Sequence, residues 1–180
     1  AHLGYIPGGG IYYSALGDYL ADVFNRYAGV FYASPGAVRM ENMLIRWMCD
    51  LVGYGEGSHG NLTTSGSLAN MIAIIAARDG KQIMSADVPR SVIYISKQTH
   101  HSVAKAINVA GLRGCPVRYV ELDDKYRMRA DHLAAQIQKD LADGLKPFLV
   151  VASAGTTDVG AIDPLTEIGD LALGIAIALF

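Results

Sequence analysis

Three short runs of β-branched and apolar residues recur along the second half of the chain, with helical stretches between them. They are Ser91 to Ser96 (SVIYIS), Pro116 to Leu122 (PVRYVEL) and Phe148 to Ala152 (FLVVA), each with the composition of a strand. His101 to Ala110 is helical in pattern. Arg129 to Gly144 is amphipathic, with Asp131 placed to cap it and Leu133, Ile137 and Leu141 inward. Asp163-Pro164 opens a further helix with proline in its first turn. FLVVA is apolar throughout, as a strand buried on both faces is. Strands that alternate with helices pair through crossover connections, so the pattern predicts an α/β fold around a mostly parallel sheet.

The first half is helical by its spacing. Ile11 to Ala28 places Leu16, Tyr19, Leu20, Val23, Phe24 and Tyr27 on one face, and Gly29 ends it. Pro35 or Gly36 starts a second helix through Val52. Its inner stripe is Met40, Met43, Leu44, Trp47 and Leu51, read as core, with Glu41, Asn42 and Arg46 outward. The glycine-rich connection Gly53 to Gly60 leads into GNLTTSGSLANMIAIIAARDG, residues Gly60 to Gly80. There, small hydroxyl and glycine residues turn into a helix whose apolar positions are Leu68, Met71, Ile72, Ile75 and Ala76. The chain divides into residues 1–58, a helical and loop segment, and residues 59–180, which hold the sheet.

A net charge of −2 gives no footprint for nucleic acid. Cys49 and Cys115 are far apart and match no metal spacing, so they read as reduced thiols of a cytoplasmic protein without a signal peptide. No apolar run reaches the roughly 18 residues of a membrane span. The closing LALGIAIALF has no polar tail, which predicts a chain cut inside a core element and liable to associate through an unfinished sheet edge.

Ligands of open α/β sheets bind beyond the carboxyl ends of the strands. Three segments are read as lying there. In Thr63-Thr64-Ser65-Gly66-Ser67 a loop becomes a helix, where free N–H groups and a positive dipole end suit a phosphate. Lys97-Gln98-Thr99-His100-His101-Ser102 follows the first strand, and Ala154-Gly155-Thr156-Thr157-Asp158-Val159-Gly160 follows the third. A serine cap with nothing bound is the plain alternative for the first segment. Together the three suit a flat heteroaromatic phosphate. The Thr63-to-Ser67 cradle itself has neither the G-x-G-x-x-G nor the G-x-x-x-x-G-K-[ST] pattern, which argues against a nucleotide-binding module.

TSGSLANMIAIIAAR, ISKQTHHSVAKAINVAGL and VVASAGTTDVGAIDPLTEIGDLA occur in that order. They resemble successive motifs of the pyridoxal-phosphate-dependent group II decarboxylases, which include the aromatic amino acid, histidine and glutamate decarboxylases. GYIPGGG and FYASPGAVRMENMLIRWM resemble that family's substrate-side loop and the helix after it. The resemblance implies the large domain of the aspartate-aminotransferase fold (fold type I), with pyridoxal 5'-phosphate as cofactor and an L-amino acid as substrate. It also implies a homodimer with shared active sites. Ser65, Gly66 and Ser67 match the phosphate loop, His100 the histidine that stacks on the pyridine ring and positions the substrate carboxylate, and Thr157 with Thr156 the loop under the cofactor. Tyr5 and Pro7 match the substrate pocket, and Ala28 and Val30 match positions lining the neighbouring subunit's pocket.

The other polar residues have plainer readings: His101 as a solvated helix-start residue, His2, His59 and His132 as surface groups, Tyr12 and Tyr13 as packing, Asp158 and Asp163 as turn and cap. Lys97 and Lys105 are rejected as Schiff-base lysines, because that lysine follows the glycine-threonine-threonine loop in the family and no lysine here follows Lys146. The resemblance also implies an aspartate at the pyridine nitrogen and a later His-Lys pair, neither present in this sequence. The chain alone is therefore expected to be inactive. The alternatives are an aminotransferase or lyase of the same fold, or a non-catalytic remnant that binds phosphate ligands.

Overall fold

The structure is a computed structural model describing residues 10–175 and 177–179. It divides into two compact units, Ala1–Leu62 and Thr63–Phe180.

In the first unit, α1 spans Tyr12–Phe24 and α2 spans Pro35–Leu51, with a 3-10 turn at Phe31–Ala33 before α2. α1 stops four residues short of Ala28. Asn25 adopts a left-handed conformation (φ 40°) and donates its N–H to the Ala21 carbonyl, a helix stop that asparagine tolerates well. Pro35 starts α2, where its missing N–H costs nothing. The apolar stripe of α2 is exposed, which corrects its reading as core, and the apolar face of α1 is exposed as well. Phe24 is 66% and Trp47 59% accessible, and the exposed Tyr12 and Tyr13 rings meet each other edge to face at 5.6 Å. The pattern is amphipathic as read, but that face is exposed among the described residues. The buried residues of α1 and α2 reduce to Cys49. Arg46, expected to face solvent, is half-buried. Its guanidinium donates to the carbonyls of Tyr54 (3.0 Å), Gly55 (3.2 Å) and Glu56 (3.2 Å) and holds the connection after α2 in place.

The second unit is a four-stranded parallel sheet in the order β2-β1-β3-β4, with β1 Ser91–Ser96, β2 Val117–Val120, β3 Lys146–Val150 and β4 Ala178–Leu179. Its helices are α3 Gly66–Gly80, α4 His101–Val109, α5 Ala130–Ala142 and α6 Leu165–Gly174. Alternation along β1 builds two cores. Ile93 and Ile95 pack with Ile74 of α3 and Val103, Ala106 and Ile107 of α4. Val92 and Tyr94 pack on the other face with Leu133 and Ile137 of α5 and Ile168 and Ala172 of α6. Each fully buried aliphatic side chain contributes roughly 1.5–3 kcal/mol.

Several local readings shift. α3 buries Ile74 and half-buries Met71 and Ile75, whereas Ile72 and Ala76 face solvent: its contact is one face of the sheet with α4, not a wider stripe. Leu141 of α5 is 39% exposed. Asp131 is in the first turn of α5, ion-paired with Arg129, and does not cap it. His132 is not a free surface group, since its Nδ1 accepts from the Glu121 N–H (3.2 Å). Both cysteines are free and buried, and burial pushes the Cys115 thiol up to about 11, so it stays protonated and unreactive.

The β1–β3 boundary organises the unit. From β1 the chain runs through α4 to β2 on one side, then returns over the opposite face through α5 to β3 and β4. Neighbouring strands whose connections leave in opposite directions open a crevice at their carboxyl ends.

Candidate active site

Two of the three expected segments leave the sheet at that crevice. β1 and β3 pair in parallel with Tyr94 opposite Val150, and the Val151 N–H donates to the Tyr94 carbonyl, so both strands reach the same edge of the sheet, β1 two residues further than β3.

After β1, a tight turn delivers His100. The Ser96 N–H donates to Thr99 Oγ1 (3.0 Å), the Thr99 N–H to the Ser96 carbonyl (3.2 Å) and the Gln98 N–H to Ser96 Oγ (3.2 Å). His100 is the N-cap of α4 and half-buried. Its Nδ1 accepts from the Ser102 N–H at 3.2 Å and lies 2.7 Å from Ser102 Oγ. His101 is exposed, yet its ring lies against that of His100, centroids 4.1 Å apart and tilted by 40°.

After β3, the chain folds back on itself between Ser153 and Asp163. The Thr156 N–H donates to the Ala161 carbonyl (2.9 Å), the Gly160 N–H to the Thr156 carbonyl (2.8 Å), and the Ala161 N–H to Thr156 Oγ1 (3.1 Å). Gly155 (φ 117°) and Gly160 (φ 69°) take the left-handed backbone that closes the turn. Thr156 is buried and its hydroxyl is spent on the loop, while Thr157 is exposed and open to a ligand. Asp163 is neither cap nor simple turn residue. It is 3% exposed, and its carboxylate accepts from the Ser153 N–H (2.8 Å) and the Met128 N–H (2.6 Å), pinning the loop to the end of the sheet.

The third segment is the start of α3. Ser65, in extended conformation, is the N-cap: its Oγ accepts from the Leu68 N–H (3.2 Å), and Thr63 Oγ1 donates to the Ser65 carbonyl (2.9 Å). Among the described residues, the Gly66 and Ser67 N–H groups have no partner. No atom lies within 4 Å of where a Cβ on Gly66 would stand. Two free donors at the positive end of a four-turn helix, beside open space, suit a phosphate monoester.

Asn70, in the second turn of α3, ties this helix to His100: its Nδ2 donates to Ser102 Oγ at 2.8 Å. Asn70 and Ser102 were given no role of their own in the sequence, where they are 32 residues apart. Tyr5 and Pro7, expected in the substrate pocket, lie outside the described residues.

Residues 3–179 match the sequence model described as the pyridoxal-dependent decarboxylase conserved domain. The chain is 36% identical over 169 residues to an aromatic-L-amino-acid decarboxylase of Bacillus atrophaeus, covering 94% of this chain and 35% of that protein. It is 34% identical over 160 residues to the human cysteine sulfinic acid decarboxylase, covering 86% and 32%. The crystal structure of Rhodiola rosea 4-hydroxyphenylacetaldehyde synthase superposes with a TM-score of 0.88 at 26% identity, covering 97% of this chain and 40% of that one. The chain thus spans about a third of the length of the curated relatives it matches.

Proposed function

The chain belongs to the pyridoxal-dependent decarboxylase family, and from that membership we propose that its protein binds pyridoxal 5'-phosphate at the β1–β3 crevice and removes the α-carboxylate of an L-amino acid as carbon dioxide, leaving the amine. The observation that carries this reading is the single hydrogen-bonded path from α3, whose N-terminus has two free donors, through Asn70 and Ser102 to His100.

The residues present fit that cofactor. The Gly66 and Ser67 N–H groups would hold the phosphate, with the Ser65 and Ser67 hydroxyls beside them. His100 would lie along the pyridine ring and orient the substrate carboxylate, and the exposed Thr157 would support the ring from the β3 loop. When bound, the cofactor supplies an electron sink for the pair left behind as the carboxylate departs. This chain's own share is placement: a rigid cradle and a fixed imidazole hold the scissile bond in one orientation, which is where much of an enzyme's advantage lies. Tyr5 and Pro7 are proposed for the substrate side-chain pocket.

Release of carbon dioxide from carboxyl-labelled L-amino acids, aromatic and acidic, tests the reaction in the protein supplied with cofactor. Transfer of the amino group to a keto acid without carbon dioxide release would replace decarboxylation by an aminotransferase reading. Gly66→Val tests the cradle. The valine meets no atom of the chain itself, so the fold should tolerate it, while cofactor affinity should fall by about tenfold or more. Equilibrium dialysis against pyridoxal phosphate reads the affinity. Equal binding by both proteins would put the phosphate elsewhere.

The exposed apolar faces of α1 and α2 support a homodimer, with Ala28 and Val30 serving the partner's pocket. Light scattering coupled to size exclusion should give twice the 19.2 kDa chain mass. A sharp monomer peak would end this part of the proposal.

A further inference from the structure

We propose that Asn70 and Ser102 form a positioning relay that fixes the tautomer of His100, holding its proton on Nε2 so that the imidazole presents an N–H donor to whatever binds in the crevice. The inference rests on the reading of that crevice as the cofactor and substrate site.

The direction of each bond follows from what each atom can do. A backbone N–H can only donate, and the Ser102 N–H points at His100 Nδ1 from 3.2 Å. Nδ1 is therefore the acceptor nitrogen, and in a neutral imidazole the proton then sits on Nε2. The side chains reinforce this order. Asn70 Nδ2 donates to Ser102 Oγ at 2.8 Å, which leaves the hydroxyl hydrogen free to donate to Nδ1 at 2.7 Å. Turning the Asn70 amide over would reverse the hydroxyl and set two N–H groups against each other at Nδ1, so the backbone donor selects the amide orientation too. Ser102 is 2% exposed and Asn70 half-buried, so water competes weakly for these bonds. Among the described residues, Nε2 has no partner in the chain.

The relay also makes the ring and the cradle one body. Asn70 lies one turn into the helix whose N-terminus is the phosphate site, so a shift of α3 would be transmitted to the imidazole through two short bonds. A histidine that rotated freely would offer either a lone pair or an N–H to a carboxylate, and only the second attracts it.

Nitrogen-15 NMR of histidine-labelled protein, with and without pyridoxal phosphate, reads the tautomer without relying on activity. His100, assigned by its loss in His100→Gln, should show the Nε2–H pattern in the wild type. In Asn70→Asp the new carboxylate can only accept. It takes the Ser102 hydroxyl proton and turns a lone pair to Nδ1, so the Nε2–H pattern should be lost or mixed. Ser102→Ala, which keeps only the longer backbone donor, should give a mixture as well. An Nδ1–H pattern in the wild type overturns the relay, and this arm needs no variant to fold. An Nε2–H pattern unchanged in both folded variants overturns it equally. Pyridoxal phosphate should shift the His100 resonances. If the tautomer behaves as expected but the cofactor leaves these resonances unmoved, the relay stands and the proposed function fails.

Discussion

Replacing Asp163 by alanine is expected to cost the second unit about 2–6 kcal/mol and to free the loop that carries Thr156 and Thr157. The carboxylate is buried and accepts two backbone N–H groups, those of Met128 and Ser153, from parts of the chain 35 and 10 residues away. A buried donor left without an acceptor costs roughly 1–3 kcal/mol, and here two lose theirs together. Met128 is itself buried in the core with α5 and α6, so its N–H has no water to turn to. Asp163→Asn should fall between the wild type and alanine, because the amide oxygen can serve one of the two donors. Urea unfolding gives the energy, and hydrogen exchange at Met128 and Ser153 locates it. A loss below about 1 kcal/mol with both amides still protected would show that the carboxylate is not the pin.

Asp140→Ala is expected to destabilise the fold by about 3 kcal/mol. Asp140 projects from α5 and is 2% exposed. It accepts from the Tyr94 hydroxyl at 3.0 Å and from Arg118 through Nε and Nη2, the latter at 2.7 Å. Burial, and then the bond to Asp140, raise the Tyr94 phenol above its ordinary value, so it remains a donor at every pH the protein meets. Deleting one member of a buried ionic cluster typically costs about 3–5 kcal/mol. Arg118 keeps 34% of its side chain in solvent and can rehydrate, which places the estimate at the lower end. Replacing the whole cluster by Tyr94→Phe, Arg118→Met and Asp140→Leu should be nearly neutral, since no charge or hydroxyl is then left alone. If the triple variant is as unstable as Asp140→Ala, the cluster holds the fold by its own attraction, and the desolvation argument is wrong. Such a result would be read in the same unfolding titrations.

Much of the candidate site could be proposed from sequence because its residues sit where one element becomes another. Ser65 to Ser67 lie at a loop-to-helix junction, His100 at a strand-to-helix junction, and the two threonines directly follow an apolar strand, so order along the chain and local chemistry sufficed. Asn70, Ser102 and Asp163 fall inside segments that the sequence singles out, but they act through partners 32 to 35 residues away, which order along the chain does not reveal. The fold shows the same division. β1 and β3 could be read from composition, whereas the Tyr94–Arg118–Asp140 cluster joins two strands and a helix that become neighbours only once the sheet has its register. The stripes of α1 and α2 were read correctly as amphipathic, and that of α2 wrongly as core. A helical period says which face is apolar and is silent on what covers it.

The all-parallel strand order has a kinetic side. Among the described residues no two neighbouring strands are joined by a hairpin, so each of these pairings must wait for a helix to form and cross over. Closing such long connections is slow, because chain entropy is spent before the first interstrand bond repays it. His100 and the loop after β3 come to the same end of the sheet only when β1 and β3 are already in register, so the unfolded chain offers no crevice for a ligand to bind. A molecule that binds there draws on the native population alone and should protect it by mass action, by about 2.7 kcal/mol at a hundred times its dissociation constant. For a slowly forming sheet, the supply of that small molecule in the cell then helps to set how much folded protein persists.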